Sequence, residues 1–274
     1  MIFEKISLNF VFCDLAFETY TSFASAKSSK LMFPSCSKLV QQSQRLVIGK
    51  NGGDEIQQHL ETIRESSVNR SAFVLVLIDA DPDGYVFDDK YLLRGTNGGR
   101  EAALVLKSEL QRELRQTSPN VAELPFILKL YANVDKLREA MFRHGIEEAS
   151  NLLRDFCRGF CQTGGLSEFI DVGDGKDRAD HQIKGVLEHF KENPCCMHIV
   201  LGGCHDNGYV CDLDIIKSEG SLQDRITLLK SFQTGRQYGD LPFKSIHLPS
   251  LFRTQSKPQL SYSEIYDHVV GRRA

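Results

Sequence analysis

The chain has 274 residues, a formal net charge of −3, 41% apolar and 25% charged residues. This is the composition of an ordinary globular protein, long enough for one sizeable core with appendages. The slight acidic excess excludes a broadly basic nucleic-acid binder but leaves room for a local basic groove.

The opening stretch, MIFEKISLNFVFCDLAF, is moderately apolar, but Glu4, Lys5 and Asp14 interrupt it and no small-residue cleavage site follows. It reads as a poor signal peptide and not as a transmembrane helix, so the expectation is an intracellular protein of cytoplasm or nucleus with no membrane attachment. Residues 22–43 are rich in Ser and Lys without a sustained period and read as loop or disorder. Residues 54–66 place Ile56, Leu60 and Ile63 at helical spacing. They predict a surface or docking helix, through which residues 1–70 would meet a protein partner.

From Ser71 the pattern alternates. Continuous apolar runs predict strands at 72–79, 126–132, 168–172, 197–201 and 225–230, with a sixth at 245–248. Apolar residues at helical spacing predict helices at 98–116, 136–144, 148–161, 179–191 and 209–217. Residues 95–100 (GTNGGR) read as a loop leading into the first of these helices. They lack the Gly-Lys-Ser/Thr of a phosphate-binding P-loop. This order of elements defines an α/β fold with a doubly wound, mainly parallel sheet and helices on both faces. The expected domains are an extension at 1–70, the α/β domain at 71–253 and a polar tail at 254–274.

Eight cysteines, at 13, 36, 157, 161, 195, 196, 204 and 211, match no disulfide framework or zinc-finger spacing. They read as buried thiols, and no zinc site is evident.

The chemistry concentrates where strands end. In open α/β sheets the working crevice lies beyond the carboxyl ends of the strands. Asp79 ends the first strand, and Asp81 and Asp83 follow in a turn. Asp174, Asp177 and Asp180 follow the third strand, and Asp206 follows the fourth. Carboxylates gathered at one edge repel one another unless a hard cation joins them, and Mg²⁺ or Mn²⁺ is the expected cofactor. Asp79, Asp177 and Asp206 are the expected metal ligands, and Asp180 would complete the shell or orient water. Asp177 also suits a plain helix cap. Lys176 and Arg178 beside these acids, with Arg100, would hold phosphates. Asn133 closes the second strand toward the same crevice, and Asn207 supplies another oxygen. His205 is either a proton-handling or donor group, or a turn histidine.

The segments VLVLIDADPDGYVFDD, GGREAA, LYAN, DVGDGKDRADHQI and HIVLGGCHDNGY, followed by RITLL, resemble a domain of unknown function in fungal CCCH-type zinc-finger proteins. The resemblance spans roughly 71–253. That domain is in turn similar to divergent NYN/PIN-like metal-dependent ribonucleases. The resemblance implies a first-strand acid at Asp79, middle acids at Asp177 and Asp180, and a last-strand acid at Asp206. Two departures stand out. Cys204 occupies the place of a second late acid, and either Asp81 or Asp83 fills the second position of a lengthened first motif. The relatives carry CCCH fingers after this domain, whereas this sequence reaches Ala274 without such a series, so a truncated or diverged member is expected. The implied function is metal-dependent cleavage or binding of single-stranded RNA. The rival is an inactive RNA- or protein-binding module. A nucleotide-binding enzyme is weaker still, because the first strand lacks the Gly-x-Gly-x-x-Gly turn.

Overall fold

The computed structural model describes residues 52–218, 220 and 222–254. The expectations for residues 1–51 and for the tail from 255 onward lie outside the described residues. The chain divides into two units, 1–65 and 66–274. Helix α1 (Gly52–Ser71) runs through that division, and everything below belongs to the second unit.

Six strands form one all-parallel sheet: β1 (Phe73–Asp79), β2 (Phe126–Ala132), β3 (Ser167–Asp171), β4 (Cys196–Gly202), β5 (Ile226–Lys230) and β6 (Lys244–His247). Their order is β3-β2-β1-β4-β5-β6. Between them lie α2 (Asp89–Leu92), α3 (Gly95–Thr117), α4 (Val134–Arg143), α5 (Glu147–Cys161), α6 (Arg178–Lys191) and α7 (Val210–Ser218).

β1 is buried on both faces because both faces are covered. Val74, Val76 and Ile78 join a core with α3, α4 and α5. Leu75 and Leu77 join a second core with α6 and α7. The period-two alternation of a strand thus sends successive residues into two layers. Connections from β1 to β3 pass over the first face, and those from β3 to β5 over the second. β1 therefore lies at the point where the winding reverses, beside β4. The carboxyl ends of β1 and β4 flank a ready crevice there.

Two readings change. Residues 95–99 are not a loop but the first turns of α3. Gly98 and Gly99 bring that helix against neighbouring backbone. A Cβ on Gly99 would collide with the Phe156 carbonyl, and one on Gly159 of α5 with the Thr96 carbonyl. Glycine here serves close helix packing, which composition alone reads as a turn. The thiols also differ from expectation. Cys196 and Cys204 are buried, whereas Cys161 and Cys211 are exposed and Cys157 and Cys195 are half-buried.

The packing of α3 on α5 predicts opposite outcomes for two glycines. Gly99→Ala is expected to destabilise by ~1–3 kcal/mol through overpacking, or ~2–4 °C in Tm for each kcal/mol. Gly185, in α6, has nothing within 4 Å of the place a methyl group would take. Gly185→Ala is expected to stabilise by roughly 0.5–1 kcal/mol through helix propensity. Denaturant unfolding of both variants checks the pair.

Candidate functional site

The site begins with Asp79, the last residue of β1, which is 2% exposed. Its Oδ1 accepts the Asp81 backbone N–H at 3.3 Å, and its Oδ2 accepts the Tyr209 hydroxyl at 3.0 Å. Among the described residues no Lys or Arg forms an ion pair with it. The nearest basic group is the His205 ring, with Nε2 3.8 Å from Oδ2. Burial, then the negative charges of Asp81 and Asp180, push the Asp79 carboxyl up to about 9, and the Tyr209 hydrogen bond opposes them only in part. Removal of water is the dominant effect, since an ionised group without a cation loses far more solvation than two donors return. Asp81 is raised in the same direction, by burial first and by Asp83 next.

The second acid is Asp180, in the first turn of α6. Burial, together with the charges of Asp79 and Asp180, holds the Tyr209 phenol far above its ordinary range. The third is Asp206, which caps the short 3₁₀ turn Asn207–Tyr209 through a 2.6 Å bond from the Gly208 N–H to Oδ1. A Cβ placed on Gly208 would lie 3.2 Å from Asp206 Oδ1 and 3.5 Å from Asp180 Oδ2. Two carboxylates therefore overlook the same bare spot of backbone. Asp180 is also close enough to Asp79 to raise its carboxyl.

Three tyrosines fix the loop after β4, and sequence reading gave them no role. Tyr209 bonds Asp79. Tyr85 accepts the Cys204 N–H at 3.2 Å and donates to the Leu229 carbonyl. Tyr238 donates to the Gly203 carbonyl at 3.1 Å and to the Asp206 carbonyl. A buried strand-end acid without a cation demands a hydroxyl donor, and Tyr209 closes the very turn that carries Asp206. That was the available signal.

The remaining predicted residues scatter around this centre. Asp177 is exposed, with its Oδ2 3.7 Å from Lys176 Nζ. It stands at the head of α6 in a left-handed conformation (φ 56°), and its side chain makes no capping bond. Lys176 and Arg178 are exposed beside it. Asn133 is buried and fully engaged: Oδ1 accepts the Lys136 N–H, capping α4, and Nδ2 donates to Asp174. Asn207 is exposed and lies against Gly235. The His205 side chain is 4% exposed, packed on Gly84 and edge-on to Tyr85, and its buried Nδ1 has no hydrogen-bond partner. Arg100 is apart from the acids: it donates to Gln162 at the end of α5 and lines neither cavity below.

Two cavities open onto the acids. One, of about 430 Å³, is lined by Asp177, Asp180, Asp206, Gly208, Lys176 and Lys184, with His181. The other, of about 850 Å³, lies between α4 and the β3–α6 loop, with Asp81 and Asp83 at its β1 side. As they stand, no three His, Cys, Asp or Glu side chains among the described residues are grouped so as to hold a metal ion. Nor is any described helix long and apolar enough to cross a membrane.

Fold and site together define a doubly wound α/β domain with an acidic crevice at its switch point. The family described as "Domain of unknown function (DUF7923)" matches residues 68–252, and the chain belongs to that family. Searches of curated proteins and of solved structures find no match.

Asp79 couples folding to pH with a definite sign. Unfolded, it loses its proton near the ordinary 3.8; folded, at about 9. Between these values the native state holds the extra proton, so its contribution to stability is full below about pH 4 and is lost as pH rises toward 9. Asp79→Asn keeps an acceptor for Tyr209 and removes this loss. Tm at about pH 8 is expected to rise by several degrees, with little change at about pH 4. A variant less stable than the parent at the higher pH would mean that Asp79 is ionised and paired.

Proposed function

We propose that this is a metal-dependent, ribonuclease-like domain that acts on or binds single-stranded RNA, of the NYN/PIN-like kind associated with fungal CCCH-type zinc-finger proteins. The carrying observation is a chain of two proximities between three separate strand–helix junctions: Asp180 is close enough to Asp79 to raise its carboxyl, and Asp180 and Asp206 both lie near Gly208, while among the described residues no Lys or Arg pairs with Asp79. Such a set of oxygen donors suits a hard cation, Mg²⁺ or Mn²⁺. Asp79, Asp180 and Asp206 would hold it, with Asp177 at the rim engaged to Lys176. A bound divalent ion supplies Lewis-acid charge at a phosphate.

The protein's own residues do the rest. Tyr209 orients the Asp79 carboxyl through its hydroxyl. Lys176 and Arg178, exposed at the mouth, supply cationic donors to backbone phosphates. The Tyr85 and Tyr238 bonds keep the Gly203–Asp206 backbone in place, so that Asp206 needs little reorganisation. A crevice at a sheet edge admits a flexible strand more readily than a duplex.

Binding must displace the proton held on Asp79, so affinity rises with pH. Mn²⁺ is expected to raise Tm more at about pH 8.5 than at about pH 6.5, by up to roughly 2.7 kcal/mol of added stability at a hundredfold excess over Kd. Asp180→Asn is expected to abolish the shift and any Mn²⁺-dependent cleavage of RNA. A parent protein with neither a Tm rise nor cleavage would remove the reading.

One observation favours the alternative of a non-catalytic binding module. Cys204, standing where the resemblance places an acid, is fully buried, and burial pushes its thiol up to about 11. Burial thus disfavours the thiolate where an acid would supply a carboxylate. The double variant Asp79→Asn with Asp180→Asn separates the two. A module keeps or gains RNA affinity and has no cleavage to lose, whereas a nuclease keeps affinity and loses cleavage.

A further inference from the structure

The larger cavity carries cations on the sides away from its β1 turn. Lys136 rises from the first turn of α4, and Arg143 ends that helix. Arg178 faces them from the head of α6. Of the carboxylates in the lining, Glu139 is 3.8 Å from Arg143 and Asp177 is 3.7 Å from Lys176, while Asp81 and Asp83 belong to the β1 turn. Lys136 and Arg178 make no ion pair among the described residues; Arg178 reaches only the Val172 carbonyl, at 3.5 Å. Its side chain lies across Gly175, whose φ of 140° and missing Cβ make the room. Acids and cations thus share the lining, but on the α4 and α6 sides Glu139 and Asp177 are engaged with Arg143 and Lys176, which leaves Lys136 and Arg178 as exposed cations without an ion pair among the described residues. His144 lines the same cavity with a buried Nδ1 that has no hydrogen-bond partner. The lining contains no Phe, Tyr or Trp, so no such ring offers a base a stacking platform.

We infer that single-stranded RNA lies in this cavity by its phosphodiester backbone, held by Lys136, Arg143 and Arg178 without reading of its bases. The inference deepens the proposed function and rests on its RNA reading. It fixes the side of the crevice from which the strand enters: between α4 and the β3–α6 loop, toward β2 and β3. A strand held by phosphates alone binds with strong salt dependence and little base preference.

The test is fluorescence anisotropy of the full chain with labelled oligo(U) and oligo(A) of equal length across a salt series, beside a Mn²⁺-dependent cleavage assay. All three residues are exposed, so their substitution leaves the fold intact, which melting curves verify. Lys136→Ala with Arg178→Ala is expected to weaken both oligonucleotides at least tenfold. It should also flatten the salt slope by about 1.4, at roughly 0.7 for each phosphate contact on a single strand. The charge-matched control, Arg112→Ala with Arg115→Ala on α3, is expected to leave affinity unchanged. Equal losses in variant and control, a strong preference for one base, or tighter binding of poly-glutamate than of RNA would each overturn the inference, the last by assigning the surface to an acidic protein segment. Failure of the two readings is distinguishable. RNA binding that depends on Lys136 and Arg178 without any cleavage keeps this surface and removes the nuclease. Cleavage with an unchanged KM in the double variant keeps the nuclease and removes this surface.

Discussion

A carboxyl group sealed at the end of a central strand, with hydroxyl and amide partners and, among the described residues, no Lys or Arg paired with it, is the constraint on which the site depends. Desolvation of an ionised carboxylate costs several kcal/mol, and a net hydrogen bond returns about one. Asp79 therefore keeps its proton at neutral pH. Its neighbours follow from that. Tyr209 satisfies one oxygen, the Asp81 N–H the other, and Asp180 can approach because one of the two acids is neutral. Tyrosine hydroxyls brace the backbone around it.

That bracing links sequence to dynamics. Three phenols from distant parts of the chain, Tyr85, Tyr209 and Tyr238, converge on the few residues after β4. Each is buried and bonded, so each contributes both apolar area and a fixed polar tip. A loop held in this way presents Asp206 in one position. The β3–α6 loop is different in kind: Asp177, Lys176 and Arg178 are exposed, and Asp177 adopts a left-handed conformation without a cap. The braced side of the crevice offers Asp206, and the exposed side offers Lys176 and Arg178 beside Asp177.

Much of the fold was legible because strands buried on both faces are continuous apolar runs. The β2 run has the same bounds in sequence and structure, and the remaining strands differ at their ends by a residue or so. The start of α3 was not legible. GTNGG has the composition of a turn, and only the approach of the Tyr91 and Phe156 carbonyls explains those glycines as helix. In the site, Asp79 was legible from its place after a buried run. The choice between Asp177 and Asp180 was not. They sit three residues apart, and whether the helix begins before or after a left-handed residue decides which faces Asp79. The place of Arg100 was not legible either: its helix packs on α5 and its guanidinium ends on Gln162, away from the acids. Tyr238 was invisible, since its partners Gly203 and Asp206 are more than thirty residues away.

The central claim is that Asp79 holds a proton which a divalent cation replaces. Calorimetric titration with Mg²⁺ at about pH 7.5, in buffers of different ionisation enthalpy, tests it directly. The account predicts saturable binding with close to one proton released for each ion bound, and none released in Asp79→Asn. Saturable binding with no proton release in the parent protein, or no binding at all, would contradict it.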